Sequence, residues 1–257
     1  MNDPWAGFLI SSAAWQGVPH SRAIANVRAA GFGGVEILCK PGHFECANED
    51  HIREVESALD DWPEAVVTFH APFYDLDLAS SDCDAGNHAL RATDVALRLR
   101  AETITVHTRR ISEMGHWDED AFNAFRRNLS LLAACNLTIA VENLPPPAFT
   151  SHEDDILALL DGYPDVGACI DTGHAHLGGR TVEVAQALAE RAFIAHIHDN
   201  RMTGDNHLMP GRGTIPWKEV VEALRGFRGR LVIETVRIES LDDLKKAIKE
   251  TGLWELA

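Results

Sequence analysis

His70, His107, Glu142, Asp171, His196 and Glu234 each stand in or at the end of a short apolar run, one per run. More residues of the same types follow close behind: His174 and His176, His198 and Asp199, then Asp205 and His207. All of these side chains bind metals or move protons. A single histidine in an apolar run is ordinarily a hydrogen-bonded core residue. Six successive runs ending in His, Asp or Glu are hard to account for by packing. A buried ionisable group is costly unless it is paired or bound to a cation. Carboxylates brought together would also repel one another. A divalent metal resolves both difficulties, and mixed carboxylate and imidazole ligands suit zinc, manganese, iron or cobalt better than calcium.

Residues so far apart in sequence meet only if the runs that carry them lie side by side. The apolar, β-branched stretches 8–12, 34–39, 65–70, 103–108, 137–143, 166–172, 193–199 and 231–235 read as strands. Segments of helical period fall between and after them, at 21–30, 49–60, 87–100, 118–135, 153–160, 181–191, 217–225 and 241–250. Gly31, Pro63, Gly162, Pro164, Gly226 and Gly229 punctuate the units. Continuously apolar strands suit a parallel sheet covered by helices. Eight strand–helix units in about 250 residues predict an α/β fold of the (β/α)8 TIM barrel type, one domain over residues 1–257. A doubly wound open sheet is the alternative, but no glycine-rich phosphate loop follows the first strand. In a barrel the C-terminal strand ends line one mouth, and that is where the ionisable residues fall.

Composition narrows the functional classes. The 257 residues are 46% hydrophobic and 24% charged, a globular balance that excludes disorder and a disulfide scaffold. No apolar run reaches the roughly 20 residues of a membrane helix. The first ten residues lack the basic and apolar regions of a signal peptide. Cys39, Cys46, Cys83, Cys135 and Cys169 are odd in number and irregular in spacing, which points to free thiols and a cytoplasmic location. With 23 basic against 39 acidic residues the net charge is −16, which disfavours a nucleic-acid platform without excluding a local basic rim. Only Lys40, Lys218, Lys245, Lys246 and Lys249 are lysines, so a Schiff-base mechanism has little support.

Taken in order, Phe69-His70-Ala71-Pro72, Val141-Glu142-Asn143, Ile170-Asp171-Thr172-Gly173-His174, His196-Ile197-His198-Asp199-Asn200, Asp205-Asn206-His207, Gly211-Arg212-Gly213 and Ile233-Glu234-Thr235 resemble the xylose isomerase-like barrels. That superfamily joins sugar isomerases and epimerases with endonuclease IV. The resemblance spans roughly Gly34 to Glu234. Among the sugar enzymes it implies one divalent metal (Zn, Mn, Co or Fe) held by Glu142, Asp171, His196 and Glu234. Glu142 and Glu234 would be the catalytic acid and base, moving a proton through a metal-bound enediolate. Glu36, His70, Arg109, His174 and His198 would contact substrate. The endonuclease side implies two or three zinc ions, with His70, His107, His174, Asp205 and His207 as additional ligands.

Ligand content alone does not choose between the two chemistries. His107-Thr108-Arg109 stands where endonucleases carry His-Pro-Gly, and Glu142-Asn143-Leu144 where they carry Glu-Asn-Thr. His207 stands where sugar epimerases often carry an arginine. The weight falls on a metal-dependent isomerase or epimerase of a small sugar or sugar derivative, with an endonuclease IV-like phosphodiesterase as the alternative. A homo-oligomer is compatible with either reading.

Overall fold

Eight strands run parallel and close on themselves. They are β1 (Phe8–Ser11), β2 (Gly34–Leu38), β3 (Val66–His70), β4 (Thr103–Val106), β5 (Thr138–Glu142), β6 (Val166–Asp171), β7 (Ala192–Ile197) and β8 (Arg230–Ile233). Each pairs with its neighbour in sequence, and β8 pairs with β1. The expected (β/α)8 barrel is therefore present. The computed structural model describes residues 4–109 and 117–257.

The helices are α1 (His20–Ala29), α2 (Glu49–Asp60), α3 (Cys83–Arg98), α4 (Glu119–Ala133), α5 (Glu153–Leu160), α6 (Thr172–Leu177), α7 (Thr181–Leu188), α8 (Trp217–Ala223) and α9 (Leu241–Glu250). Local chemistry sets their starts. Asn48 caps α2, accepting from the amides of Asp50 and His51, and Asp118 caps α4 through the amide of Ala121. Helix α2 buries Ile52, Val55 and Leu59, one face at helical spacing. Helix α3 begins four residues before the start read at Asn87, because the Asp82 side chain accepts from the Asp84 amide and opens the helix there. Helix α6 was not anticipated. Its sequence, Thr-Gly-His-Ala-His-Leu, has no apolar period, and it forms because the Asp171 carboxylate accepts from the His174 amide at 2.6 Å.

A strand turns alternate residues inward, and the barrel interior shows the consequence. Leu9, Ala140, Cys169, Ile194 and Val232, from five strands, form a small buried apolar cluster inside the barrel. Two residues further along the same strands stand Ser11, Glu142, Asp171, His196 and Glu234. The ionisable layer thus lies one pleat above an apolar floor. The larger core packs the outward faces, such as Ile10, Ile37, Phe69, Val141 and Ile197, against the helices.

The loop after β7 is tied down at its base. Asp199 is fully buried, and its backbone pairs with Leu208 in both directions, at 2.8 and 2.7 Å. Its carboxylate accepts from the amides of Asn200 (2.9 Å), Ile215 (3.2 Å) and Gly211 (3.0 Å), and from Trp217 Nε1 (2.9 Å). A side chain on Gly213 would meet Asp199 Oδ1 and the Asn200 carbonyl at 2.2 Å, so only glycine fits against this knot. The knot presents Asp205 and His207 to the barrel mouth. Trp217→Phe removes one donor from a buried carboxylate, and should lower unfolding free energy by about 1.5–3 kcal/mol. Urea denaturation checks this; an unchanged midpoint would show that the carboxylate does not depend on the indole.

Candidate active site

The ionisable layer converges on His196, which is fully buried. Its Nδ1 lies 3.2 Å from Glu142 Oε1, 3.2 Å from Glu234 Oε2 and 3.8 Å from Asp171 Oδ2. Its Nε2 lies 3.1 Å from Glu36 Oε2. The four residues expected as a ligand set are thus together, drawn from β5, β6, β7 and the end of β8.

Around them stands a ring of imidazoles. His70 Nδ1 donates to the Ala71 carbonyl at 3.0 Å, and its Nε2 to Glu142 Oε2 at 3.2 Å. His107 Nε2 comes within 3.0 Å of Glu142 Oε2 without hydrogen-bond alignment. His174 Nδ1 donates to the Asn143 carbonyl at 3.0 Å, and its Nε2 faces Asp205 Oδ2 at 3.4 Å. His198 Nε2 donates to both oxygens of Asp171 at 3.0 Å. A side chain on Gly173 would fall 2.0 Å from His198 Cε1, so the ring packs directly on the backbone. His207 stacks on His198 with ring centroids 4.0 Å apart. It adopts φ +44°, uncommon for a residue with a Cβ, and is held there by bonds to the Glu234 carbonyl (2.8 Å) and Asp205 Oδ2 (2.9 Å).

A cavity of about 170 Å³ opens onto this ring. Glu142, Glu234, His70, His107, His174, Asp205 and His207 supply its polar lining, and Phe73, Leu144 and Pro145 its apolar wall. A cleft of about 840 Å³ at the opposite barrel end, beside Glu102, Thr103 and Arg230, has no imidazole in its lining.

Electrostatics separate the two expected catalytic glutamates. Burial pushes both carboxyls up. At Glu142 the charges of His107 and His196, with the close imidazole of His174, outweigh burial and hold it well below the ordinary carboxylate value. Burial prevails at Glu234, with the carboxylates of Glu142 and Asp171 adding to it, and its pKa is raised. Burial likewise disfavours charge on His70, but the hydrogen bond and charge of Glu142 overcome it and raise its pKa to about 9. His207 reaches about 9 against the same opposition, through Asp205 and Glu234.

The donor set fits a divalent cation. One imidazole nitrogen faces three carboxylates, and one N–H satisfies only one of them. Glu36 Oε1, both ring nitrogens of His107 and Nδ1 of His198 are buried without a hydrogen-bond partner among the described residues. Further triads bring donor atoms within 4.8 Å of one another: His70, His107 and Glu142; Asp171, His174 and His198; His198, Asp205 and His207.

Three residues expected to contact substrate, Glu36, Arg109 and His198, are not among those lining this cavity. Glu36 is fully buried under His196 and off the cavity wall. Arg109 is turned to Asp77 Oδ2 at 3.3 Å, and His198 backs Asp171. Asn143 has a role beyond its place in a motif. Its side chain accepts from the Asp171 amide at 2.7 Å and donates to the Asp171 carbonyl at 3.0 Å, clasping β5 to β6. Cys169 lies within 4.8 Å of donor atoms of Glu142 and His196, and its position two residues before Asp171 was the available signal.

Fold and site define a (β/α)8 barrel with a carboxylate–imidazole centre at the C-terminal mouth. The chain belongs to the family described as Xylose isomerase-like TIM barrel, whose model matches residues 24–254. A D-psicose 3-epimerase of Ruminiclostridium cellulolyticum is 27% identical over 82% of this chain and 76% of its own. An uncharacterized protein of Methanocaldococcus jannaschii is 27% identical over 85% of this chain and 80% of its own. The crystal structure of a D-tagatose 3-epimerase-like protein superposes with a TM-score of 0.79 at 25% identity, covering 97% of this chain and 98% of that one. Relatives and structural neighbours thus include sugar epimerases. No helix among the described residues is long and apolar enough to cross a membrane.

Two outcomes follow. Glu36 lies against His196 Nε2, and changing such a partner of a metal-binding histidine typically costs about 10–100-fold in metal affinity. Glu36→Gln should weaken Mn²⁺ or Zn²⁺ binding by that order in a chelator competition; unchanged affinity would remove Glu36 from the centre. Secondly, folded His70 and His207 hold protons up to about pH 9, against 6.5 for an ordinary histidine. Their contribution to stability is full below pH 6.5 and lost as pH rises through about 9. Chelator-stripped protein should therefore melt at falling temperatures across that interval. Stabilisation by added Mn²⁺ or Zn²⁺ should grow over it, because the cation takes the place of protons. A melting temperature that rises with pH over this range would contradict the scheme.

Proposed function

We propose that this chain is a divalent-metal-dependent epimerase or isomerase of a small sugar or sugar derivative. The observation that carries the reading is the pair Glu142 and Glu234. Both line one small cavity, both approach the same imidazole nitrogen, and their environments push their pKa values apart. Paired carboxyls with split pKa values are what a proton exchange at carbon requires. The likeness to D-psicose 3-epimerase supports a ketose as substrate class.

Glu142, Asp171, His196 and Glu234 would hold the cation. When bound, it supplies Lewis-acid polarisation of a carbonyl oxygen, which acidifies the neighbouring C–H. Glu142, ionised at neutral pH, takes or holds a proton at one carboxylate oxygen while Glu234, with its raised pKa, returns one. His107, whose ring nitrogens have no hydrogen-bond partner among the described residues, would present an N–H to a substrate oxygen, while His70, His174 and His207 line the cavity with their ring nitrogens held by protein oxygens. Phe73, Leu144 and Pro145 exclude water from the apolar side of the cavity.

The surplus donors His70, His107, His174, Asp205 and His207 favour the phosphodiesterase as the second reading. One experiment separates the two. A panel of ketoses is incubated with the protein and Mn²⁺ or Co²⁺ in D2O, and an abasic duplex is assayed for nicking beside it. Deuterium should enter at the carbon next to the carbonyl, and Glu142→Gln and Glu234→Gln should each slow this by about 10²–10⁴-fold. Nicking without exchange in any ketose would replace the epimerase reading with the phosphodiesterase one.

A further inference from the structure

Away from the carboxylate–imidazole centre, the loop between β2 and α2 brings two thiols together. Cys39 follows β2 directly, and its amide donates to the His70 carbonyl at 3.0 Å. The chain then turns tightly, with Gly42 at φ +71° and backbone bonds from Lys40 to Phe44 (2.8 Å) and from His43 to Lys40 (3.0 Å). Phe44 is fully buried edge-on against Phe69 and anchors the turn. Cys46 comes back against Cys39 with the two Sγ atoms 2.9 Å apart, one thiol donating to the other. Cys39 is buried and Cys46 half-buried.

Both sulfurs line a cleft of about 300 Å³ that also carries Lys40 and Arg91. It shares no lining residue with the cavity at His196. We propose that Cys39 and Cys46 are a redox-active dithiol, closing to an intramolecular disulfide when a peroxide-class oxidant enters this cleft. The hydrogen bond from Cys46 holds the Cys39 thiol below its ordinary value and makes it the attacking sulfur. The charges lining the cleft are mixed, Lys40 and Arg91 standing beside Glu45 and Asp75, and the Asp75 carboxylate works against the Cys46 hydrogen bond at Cys39.

The chemistry balances. The Cys39 thiolate attacks one peroxide oxygen, the O–O bond breaks, and the departing hydroxide takes up a proton as water. Cys39 is left as a sulfenic acid. The Cys46 sulfur attacks that sulfur, the S–O bond breaks, and a second water leaves with the Cys46 proton. Two thiols lose two electrons and two protons, and hydrogen peroxide becomes two waters. The backbone bond from Cys39 to His70 ties this loop to the rim of the catalytic cavity.

Trypsin does not cleave Lys40-Pro41, so one peptide, 29–53, carries both cysteines and no other. The native protein is treated with hydrogen peroxide in steps, alkylated, digested and weighed. Peptide 29–53 should lose both alkylation sites and two hydrogen atoms while Cys135, a half-buried lone thiol, still alkylates. Dithiothreitol should restore both sites. Cys46→Ser should abolish closure and leave a Cys39 sulfenic acid that dimedone traps. The proposal fails if Cys39 and Cys46 both remain alkylatable after Cys135 has been oxidised. It fails equally if peptide 29–53 gains oxygen instead of losing hydrogen.

Discussion

Everything at the mouth of this barrel answers to one constraint: negative charge is buried there in excess of what neutral hydrogen bonding can absorb. Glu36, Glu142, Asp171 and Glu234 are all buried, and His196 reaches all four. An imidazole with oxygens at both nitrogens must carry positive charge, or share its place with something that does. His70 and His207 stand in the same situation with smaller retinues. The ring of histidines is therefore a charge reservoir.

The scaffold meets that constraint with few parts. Because strand residues alternate faces, an apolar residue and an ionisable one two positions later give each strand a floor and a functional tip. Asp171 serves at once as the end of β6, the cap of α6 and the acceptor for His198. Asn143 then fixes the Asp171 backbone from the neighbouring strand. Precision at the centre comes from strand registry and backbone hydrogen bonds more than from loops.

Much of this is legible in the sequence. The eight apolar runs located every strand, and the residue types at their ends located the centre, since both signals have short range and strict periods. What the sequence does not show depends on distance across the barrel. Nothing in the sequence separates a Glu36 that meets sugar from one that supports His196 from below, because the partner is 160 residues away. Nor does the sequence announce that Arg109, expected to meet substrate, also bonds Asp77. Helix α6 is too short for a hydrophobic period, and its cap is a residue already accounted for as a ligand. The pairing of Cys39 with Cys46 rests on a turn whose closure no spacing rule announces.

The Asp199 knot has a consequence for how such a barrel diversifies. It closes the base of the loop after β7 by pairing with Leu208 and gripping residues 211, 215 and 217. Residues 201–206 therefore form a hairpin-like extension whose ends are already anchored, with Met202 exposed at its tip. Insertions at 201–204 would leave the register of β7 and α8 untouched, whereas Asp205 is bound to His207 and faces His174. The knot thus lets the tip of the loop vary in length while its two ends stay fixed against the barrel.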